Sequence, residues 1–563
     1  MAFIAMLPIT GCKRKEPEAR VPENPTFTKH IAPIIYQNCS GCHRAGQPGP
    51  FPLLTFLDLS KHVKVVVDVV QNRIMPPWLP DRGHGHFVGE RGLSQVQIDT
   101  IVRWANQGAA EGLTADLPPQ PVWTDGWQLG PPDLVVRMPE PFTVPAEGRD
   151  VYRNFVIPIP GELKRFVRGV EIHPGSKQVH HAFLRFDRTR ESMRLDKKDA
   201  EPGFGGMNTP GSAYNPGGQF LSWQPGKVQT LHAEGLAWPL EPHSDAVLQV
   251  HLQPSGKSES LLAEIGFYFT DRAPTNTPFK IGLRSMSIDI PAGVTNYIVT
   301  DSYALPVDVD LIGILPHAHY LAKEMHCWAT LPDGTTRSLL LIRQWDFKWQ
   351  GDYRFSQPIF APKGTKLNMR FTYDNSTGNP RNPNQPPKHV KYGVQTSDEM
   401  AEMWMQVLPR HPSELRSLSD DYSKHAIHTA VAYHEYLLRE NPKNGRAHVE
   451  LGKIRLMRGQ PGALEFFRAA VQLEPDIDEA HYHLGLMLEQ NGDAVGARIE
   501  YETTIRLNPD FFEAHNNLGL ICMASDRLAQ AVFHFKEVLR INPGDEIALK
   551  NLDLVLTRRP KGK

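Results

Sequence analysis

The chain has 563 residues, 40% of them hydrophobic, and a formal net charge of -1. That length exceeds what one hydrophobic core supports, so several domains are expected. The balanced charge, with no basic run beyond Lys13-Arg14-Lys15, argues against a nucleic-acid partner, and five cysteines are too few and too scattered for a disulfide framework.

In chain order, the apolar start from Met1 to Pro8 leads to Ile9-Thr10-Gly11-Cys12, which resembles a bacterial lipobox. It implies a lipoprotein-type signal and linker over residues 1–24, an acylated Cys12 and a place in the periplasm or on the outer surface. The membrane is then touched by a lipid anchor only, since no other stretch is long enough to span it. Next comes Cys39-Ser40-Gly41-Cys42-His43. This C-x-x-C-H pattern offers two thiols one turn apart for two thioether links to a haem, with His43 beneath the iron. A zinc site would need a second cysteine pair, which the chain lacks. Met75, on the stiff Arg73-Ile74-Met75-Pro76-Pro77-Trp78 loop, is the candidate sixth ligand, ranked ahead of His84 and His86. Helices are expected over residues 30–36 and 94–107, the second capped by Ser94 and ended at Gly108. Residues 25–115 resemble a class I cytochrome c domain, which implies one covalently bound haem c.

From Pro121 to Arg410, Pro and Gly punctuate short β-branched and aromatic runs such as Leu134-Val135-Val136-Arg137-Met138 and Ala246-Val247-Leu248-Gln249-Val250-His251. Two antiparallel β-sandwiches are expected, over residues 120–280 and 281–410. Into these strands the chain places His180-His181, His251 and His317-Ala318-His319. Residues two apart on a strand share a face, so His317 and His319 form a chelating pair. Adjacent His180 and His181 point to opposite faces, so both can reach one metal only at a strand end or through different ring nitrogens. His251 would complete a three-imidazole set. Imidazoles alone suit copper or zinc; a thioether from Met400 beside His317 and His319 favours copper. His173, His232, His243 and His326 are expected to be ordinary solvated or hydrogen-bonded side chains, and Met325 and Met405 core residues.

Val179-His180-His181, Leu248-Gln249-Val250-His251, Pro316-His317-Ala318-His319 and Asp398-Glu399-Met400 occur in the order and spacing of the copper type II, ascorbate-dependent monooxygenases, and the chain resembles that family. The resemblance implies two jelly-roll-like copper domains. His180, His181 and His251 would hold a copper that stores an electron; His317, His319 and Met400 would hold the copper that meets dioxygen and a substrate C–H bond. It also implies two copper ions and ascorbate as an external reductant. Leu315 stands where the peptide-hydroxylating members carry an arginine, and Trp404 and Glu402 replace their tyrosine and asparagine, which counts against a glycine-extended peptide as substrate. Ala401 stands where a cysteine usually follows the methionine.

Beyond Pro412 the pattern turns helical. Leu451-Gly452, Leu484-Gly485 and Leu518-Gly519 recur with Ala480, Ala514 and Ala548 and with Pro442, Pro475, Pro509 and Pro543, at a period of about 34 residues. Residues 415–560 therefore resemble tetratricopeptide repeats, preceded by an amphipathic segment from Tyr422 to Arg439. A repeat groove implies a docked protein partner.

The fold class expected is multidomain: a small helical haem domain, two β-sandwich copper domains and a helical solenoid. The function expected is hydroxylation of a small-molecule or peptide substrate by dioxygen, with electrons arriving through the fused haem, fed by a redox donor protein. The alternatives are a non-catalytic haem and copper carrier, or a scaffold built on the repeats.

Overall fold

The computed structural model describes residues 20–557 apart from 48, 124–125, 149, 207–208, 233–234, 394 and 543. Cys12 with its leader, and Pro543, lie outside the described residues. Among those described, no helix is long and apolar enough to cross a membrane. Two compact units divide the chain. One holds the described residues up to Gly83 with Gly89–Gln128 and Pro225–Val228; the other holds His84–Val88, Leu129–Gln224 and the chain from Gln229 onward.

The first unit is helical. A π turn, Phe27–Ile31, runs into the helix Ala32–Asn38, followed by Phe56–Ser60, Val63–Gln71 and Gln95–Asn106. Thr55 and Ser94 open their helices with reciprocal capping boxes to Asp58 and Gln97, which satisfy N–H groups the helix itself cannot. Ile98, Ile101 and Trp104 recur at helical spacing and enter one core with Ile31, Ile35, Leu59 and Val66. The Trp104 indole donates to the Ala110 carbonyl at 2.8 Å, so this large side chain is buried without an orphaned donor.

In the second unit the first sandwich pairs a four-stranded sheet, in the order Leu134–Arg137, Glu264–Thr270, Arg165–His173, Trp238–Leu240, with a five-stranded one, in the order Phe204–Gly205, Val151–Pro158, Asp245–Leu252, Val179–Asp187, Ser222–Trp223. Val136, Val167, Ile265 and Phe267 of one sheet share a core with Phe155, Leu184, Phe186 and Leu248 of the other. The next two four-stranded sheets run Phe279–Ser285, Ala401–Pro409, Val309–His317, Tyr353–Ala361 and Tyr297–Ala304, Lys366–Tyr373, Ala322–Thr330, Thr336–Ile342. Cys327 Sγ of one meets Met405 Sδ of the other at 3.8 Å, both fully buried. Met325 and Met405 are core residues here.

The helix Leu415–Glu440 leaves the second sandwich with Tyr422 anchored to Gly282: its hydroxyl accepts from the Gly282 N–H at 2.9 Å and donates to the Gly282 carbonyl at 3.0 Å. Shorter helices follow, from Gly445–Met457 to Glu546–Thr557. Gly452, Gly485 and Gly519 lie flat against the rings of Phe467, Tyr501 and Phe535; a Cβ there would come within 2.7, 2.7 and 2.6 Å of a ring carbon. Glycine recurs in these repeats because the partner helix leaves no room for a side chain.

Candidate metal centres

His180 and His181 open the strand Val179–Asp187, and His251 lies on its neighbour Asp245–Leu252. Strict alternation would send His180 and His181 to opposite faces, but Val179 pairs with Leu252 and His181 with His251, which leaves His180 as an extra, bulged residue. The bulge cancels the alternation that limits adjacent histidines on a regular strand. Both rings then lie beside His251, with centres 5.3 Å and 4.9 Å from it. Two imidazoles sharing one ion at about 2.0–2.1 Å per nitrogen hold their ring centres roughly 5 Å apart.

The ring nitrogens are sorted by their partners. His251 Nε2 lies 2.9 Å from Asp150 Oδ2, and His180 hydrogen-bonds the Lys348 backbone. The Nδ1 atoms of His180, His181 and His251 are all buried without a partner. A buried polar atom in that condition is costly unless something occupies it. Tyr152 stacks on His251 with ring centres 4.4 Å apart and holds its plane. Burial, then the neighbouring histidines, keeps His181 well below its ordinary pKa, so it is neutral, the form that binds a metal.

The second set is assembled differently. The strand Val309–His317 ends at its histidine, so His319 lies past the strand and not on it as the spacing suggests. His317 pairs with Glu402 at the end of the ladder, and beyond it the Glu399 carboxylate accepts from the N–H groups of both His319 and Met400, which brings those two backbones together. The His317 and His319 ring centres are 5.3 Å apart. His317 Nδ1 bonds the buried Gln350 Oε1 at 2.5 Å, and His319 Nδ1 donates to the Asp398 carbonyl at 3.0 Å. Here the remaining ring nitrogen is Nε2, and that of His319 is buried and unpartnered. Burial and the nearby His317 hold His319 down to a pKa of about 3.

One carboxylate locks this corner. Glu399 is fully buried; its oxygens accept from the backbone N–H groups of His319, Met400 (2.9 Å) and Leu321 (2.9 Å). Burial pushes its pKa up to about 8 against the pull of those three donors. The Tyr373 hydroxyl donates to the Met400 carbonyl at 2.6 Å and the Trp345 indole to that of His319 at 3.0 Å. The backbone carrying two of the three ligands is therefore pinned from both sides. Among the described residues, no group of three or more His, Cys, Asp or Glu side chains is spaced so that it could hold a metal ion as the side chains stand. Each set is a gathered neighbourhood of donors: three histidines with buried, unpartnered Nδ1 atoms in the first, and in the second His317 and His319 beside the backbone turn that carries Met400.

In the first unit Cys39 ends the helix Ala32–Asn38, and the Cys42 and His43 N–H groups both donate to its carbonyl, at 3.1 and 3.0 Å, a single turn that keeps the thiols together. Burial, then the neighbouring Cys42, pushes the Cys39 thiol up to about 12. His43 Nδ1 bonds the Phe51 carbonyl at 3.0 Å, which leaves Nε2 as the other ring nitrogen. The backbone of Gly49 passes so close that a Cβ there would lie 2.9 Å from His43 Cγ. Met75 is half-buried in its loop, its N–H bonded to the Val69 carbonyl at 3.1 Å. Arg91 donates to the Pro225 carbonyl at 3.2 Å and to that of Gly226, where a Cβ would lie 3.0 Å from Cys42 Sγ. His84 and His86 belong to the second unit: His84 Nδ1 lies 2.8 Å from Ser338 Oγ, a hydroxyl it shares with His326, and the His86 carbonyl accepts from Ser356.

Sequence reasoning assigned no role to Asp150, Gln350, Phe347 or Glu399. Only Glu399, adjacent to Met400, carried a local signal.

The C-terminal helices form a tetratricopeptide repeat array: that family matches residues 461–504 and 512–545. Two solved structures, both crystal structures of MamA, are similar at 24% and 25% identity; each match covers 24% of this chain and 75% or 78% of the MamA chain, with a TM-score of 0.22. No curated protein matches the chain.

Proposed function

We propose that the chain is an extracytoplasmic copper monooxygenase that hydroxylates a C–H bond of a small molecule or peptide, with electrons supplied through a fused c-type haem and with ascorbate as an external substitute. The observation that carries this reading is the gathering of two histidine sets in which one ring nitrogen each of His180, His181, His251 and His319 is buried without a partner, while protein groups hold the other nitrogen of His180, His251 and His319 and Nδ1 of His317. His180, His181 and His251 would hold one copper, and His317, His319 and Met400 the other. Bound there, the two ions supply the one-electron chemistry by which dioxygen gives one atom to a C–H bond and the other to water.

The chain's own groups do the rest. Burial favours the neutral form of His180, His181 and His319, while Asp150, Gln350 and the Asp398 carbonyl aim the rings they bond and Glu399 fixes the Met400 backbone. Cys39, Cys42 and His43, with Met75 as sixth ligand, would hold a haem that relays electrons, in a domain of the class I cytochrome c kind. A tethered carrier makes that delivery effectively intramolecular. Lipidation at Cys12 would anchor the protein to a bacterial membrane.

The repeats supply a docking module. A cavity of about 500 Å³ between the helix Leu415–Glu440 and the first repeat is lined by apolar residues such as Leu438, Leu451 and Phe466 and by three cations, Arg439, Arg455 and Arg458, against one carboxylate, Glu435. Such a lining fits a carboxylate-bearing segment of a protein partner.

Metal analysis of the purified protein should give two coppers and one iron per chain, with oxygen uptake that depends on a C–H substrate. Met400→Ala should abolish product while haem spectra stay unchanged; retained hydroxylation rejects the assigned oxygen site. Full copper loading without substrate-dependent oxygen uptake would point instead to a non-catalytic haem and copper carrier.

A further inference from the structure

The Trp345–Gln350 segment of the second sandwich touches ligands of both sets. The centre of the Phe347 ring lies 5.5 Å from that of His319 and 6.3 Å from that of His251. Two residues on, the Trp349 ring lies 6.2 Å from His180. At its ends the segment bonds the His319 carbonyl through Trp345 and His317 Nδ1 through Gln350. Asp346 stabilises the turn by accepting from the Lys348 N–H at 3.0 Å, and Phe347, 2% exposed, packs on Tyr320 with ring centres 4.6 Å apart.

A phenyl ring offers a metal nothing, yet this one is buried between the histidines of two separate strand systems. Interiors are close-packed and side chains sit in defined rotamers, so a ring held on several sides transmits any displacement to its neighbours. Phe347 is therefore a ring neighbour of one histidine in each set, His251 and His319. Resting on the copper reading above, we propose that Phe347 is a positioning residue shared by the two sets, a spacer that fixes the ring planes of His251 and His319 together.

The test uses the full-length, copper-loaded chain and reads spectra and affinities, not turnover. In the wild type carrying two Cu(II), the electron paramagnetic resonance spectrum should show dipolar broadening between the ions. Phe347→Ala should shift the hyperfine pattern of the three-histidine set, weaken Cu(I) binding by the His317/His319/Met400 set about tenfold in competition with a chelator, and change the broadening. Phe347→Tyr should restore wild-type values at both. Phe347→Leu keeps the volume but not the plane and should give a smaller shift, again at both; it carries the test if the alanine variant does not fold. Changes at one set alone, or unchanged signatures in the leucine variant, overturn the shared role. Metal analysis of the wild type comes first: a chain that takes up no copper sinks the functional reading itself, a result distinct from a failure of the spacer.

Discussion

The two histidine sets lie in similar antiparallel sandwiches, yet they present opposite ring nitrogens. In the first, a β-bulge at His180 and a carboxylate on His251 leave three Nδ1 atoms bare; in the second, an amide and a carbonyl hold Nδ1 of His317 and His319 and leave Nε2. The first is supported through side chains, Asp150 and the stacked Tyr152. The second is supported through backbone, by Glu399 beneath His319, Leu321 and Met400. Side-chain support permits small rotations of an imidazole, whereas backbone support fixes where the whole ligand loop sits. On the function proposed above, such a division would suit one site that passes electrons and another that must hold a reacting pair in register.

The strongest way to break this contrast is at Glu399. Glu399→Ala orphans three buried N–H groups and leaves a cavity, so the second sandwich should lose roughly 3 kcal/mol or more. Chemical unfolding should show that loss, and copper analysis should fall from two ions toward one with the three-histidine signature intact. If both ions are retained, backbone support is not what defines the second set. Asp150→Ala attacks the other side: loss of an outer-shell partner typically costs about 10–100-fold in metal affinity. Cu(I) competition should find that loss at the first set alone, with unfolding midpoints nearly unmoved. Met400→Leu, close in volume, should change stability by less than about 1.5 kcal/mol while removing the soft ligand. X-ray absorption of the Cu(I) protein should then lose its sulfur scatterer and keep its nitrogens.

The smallest effect concerns a histidine that neither set uses. Burial holds His483, stacked on Phe467, down to a pKa of about 4, although it has no ligand role. Its unfolded form binds a proton near pH 6.5 and its folded form only near 4. It therefore costs nothing above pH 6.5, and stability falls as pH drops from there toward 4. Thermal unfolding across that window should lose part of its pH slope in His483→Leu, on the order of 1 kcal/mol. Burial alone lowers a histidine's basicity; what marks the two sets is convergence.

The repeats were legible because their code is local: Gly452, Gly485 and Gly519 recur at fixed spacing, each meeting the same kind of ring. The capped helix start at Ser94 was legible for the same reason. The sequence grouped His180 and His181 with His251, but how neighbours on a strand reach one side was not legible, because a bulge is a property of the pairing with Leu252 and His251, not of the strand's own residues. The strand reading likewise put His319 one element too early, since the sheet ends at His317 and the turn beyond is held by a distant Glu399. Gln350 and Phe347 had no signal in their own neighbourhood; they matter only through contacts to residues some thirty positions or more away in the chain.

The bulge at His180 also has a genetic meaning. Loss of that single codon would restore an unbroken ladder, keep every neighbouring strand in place and abolish the chelating corner. Descendants of such a chain would keep the architecture while losing the gathered imidazoles, so kinship in shape would say little about whether the proposed metal site survives.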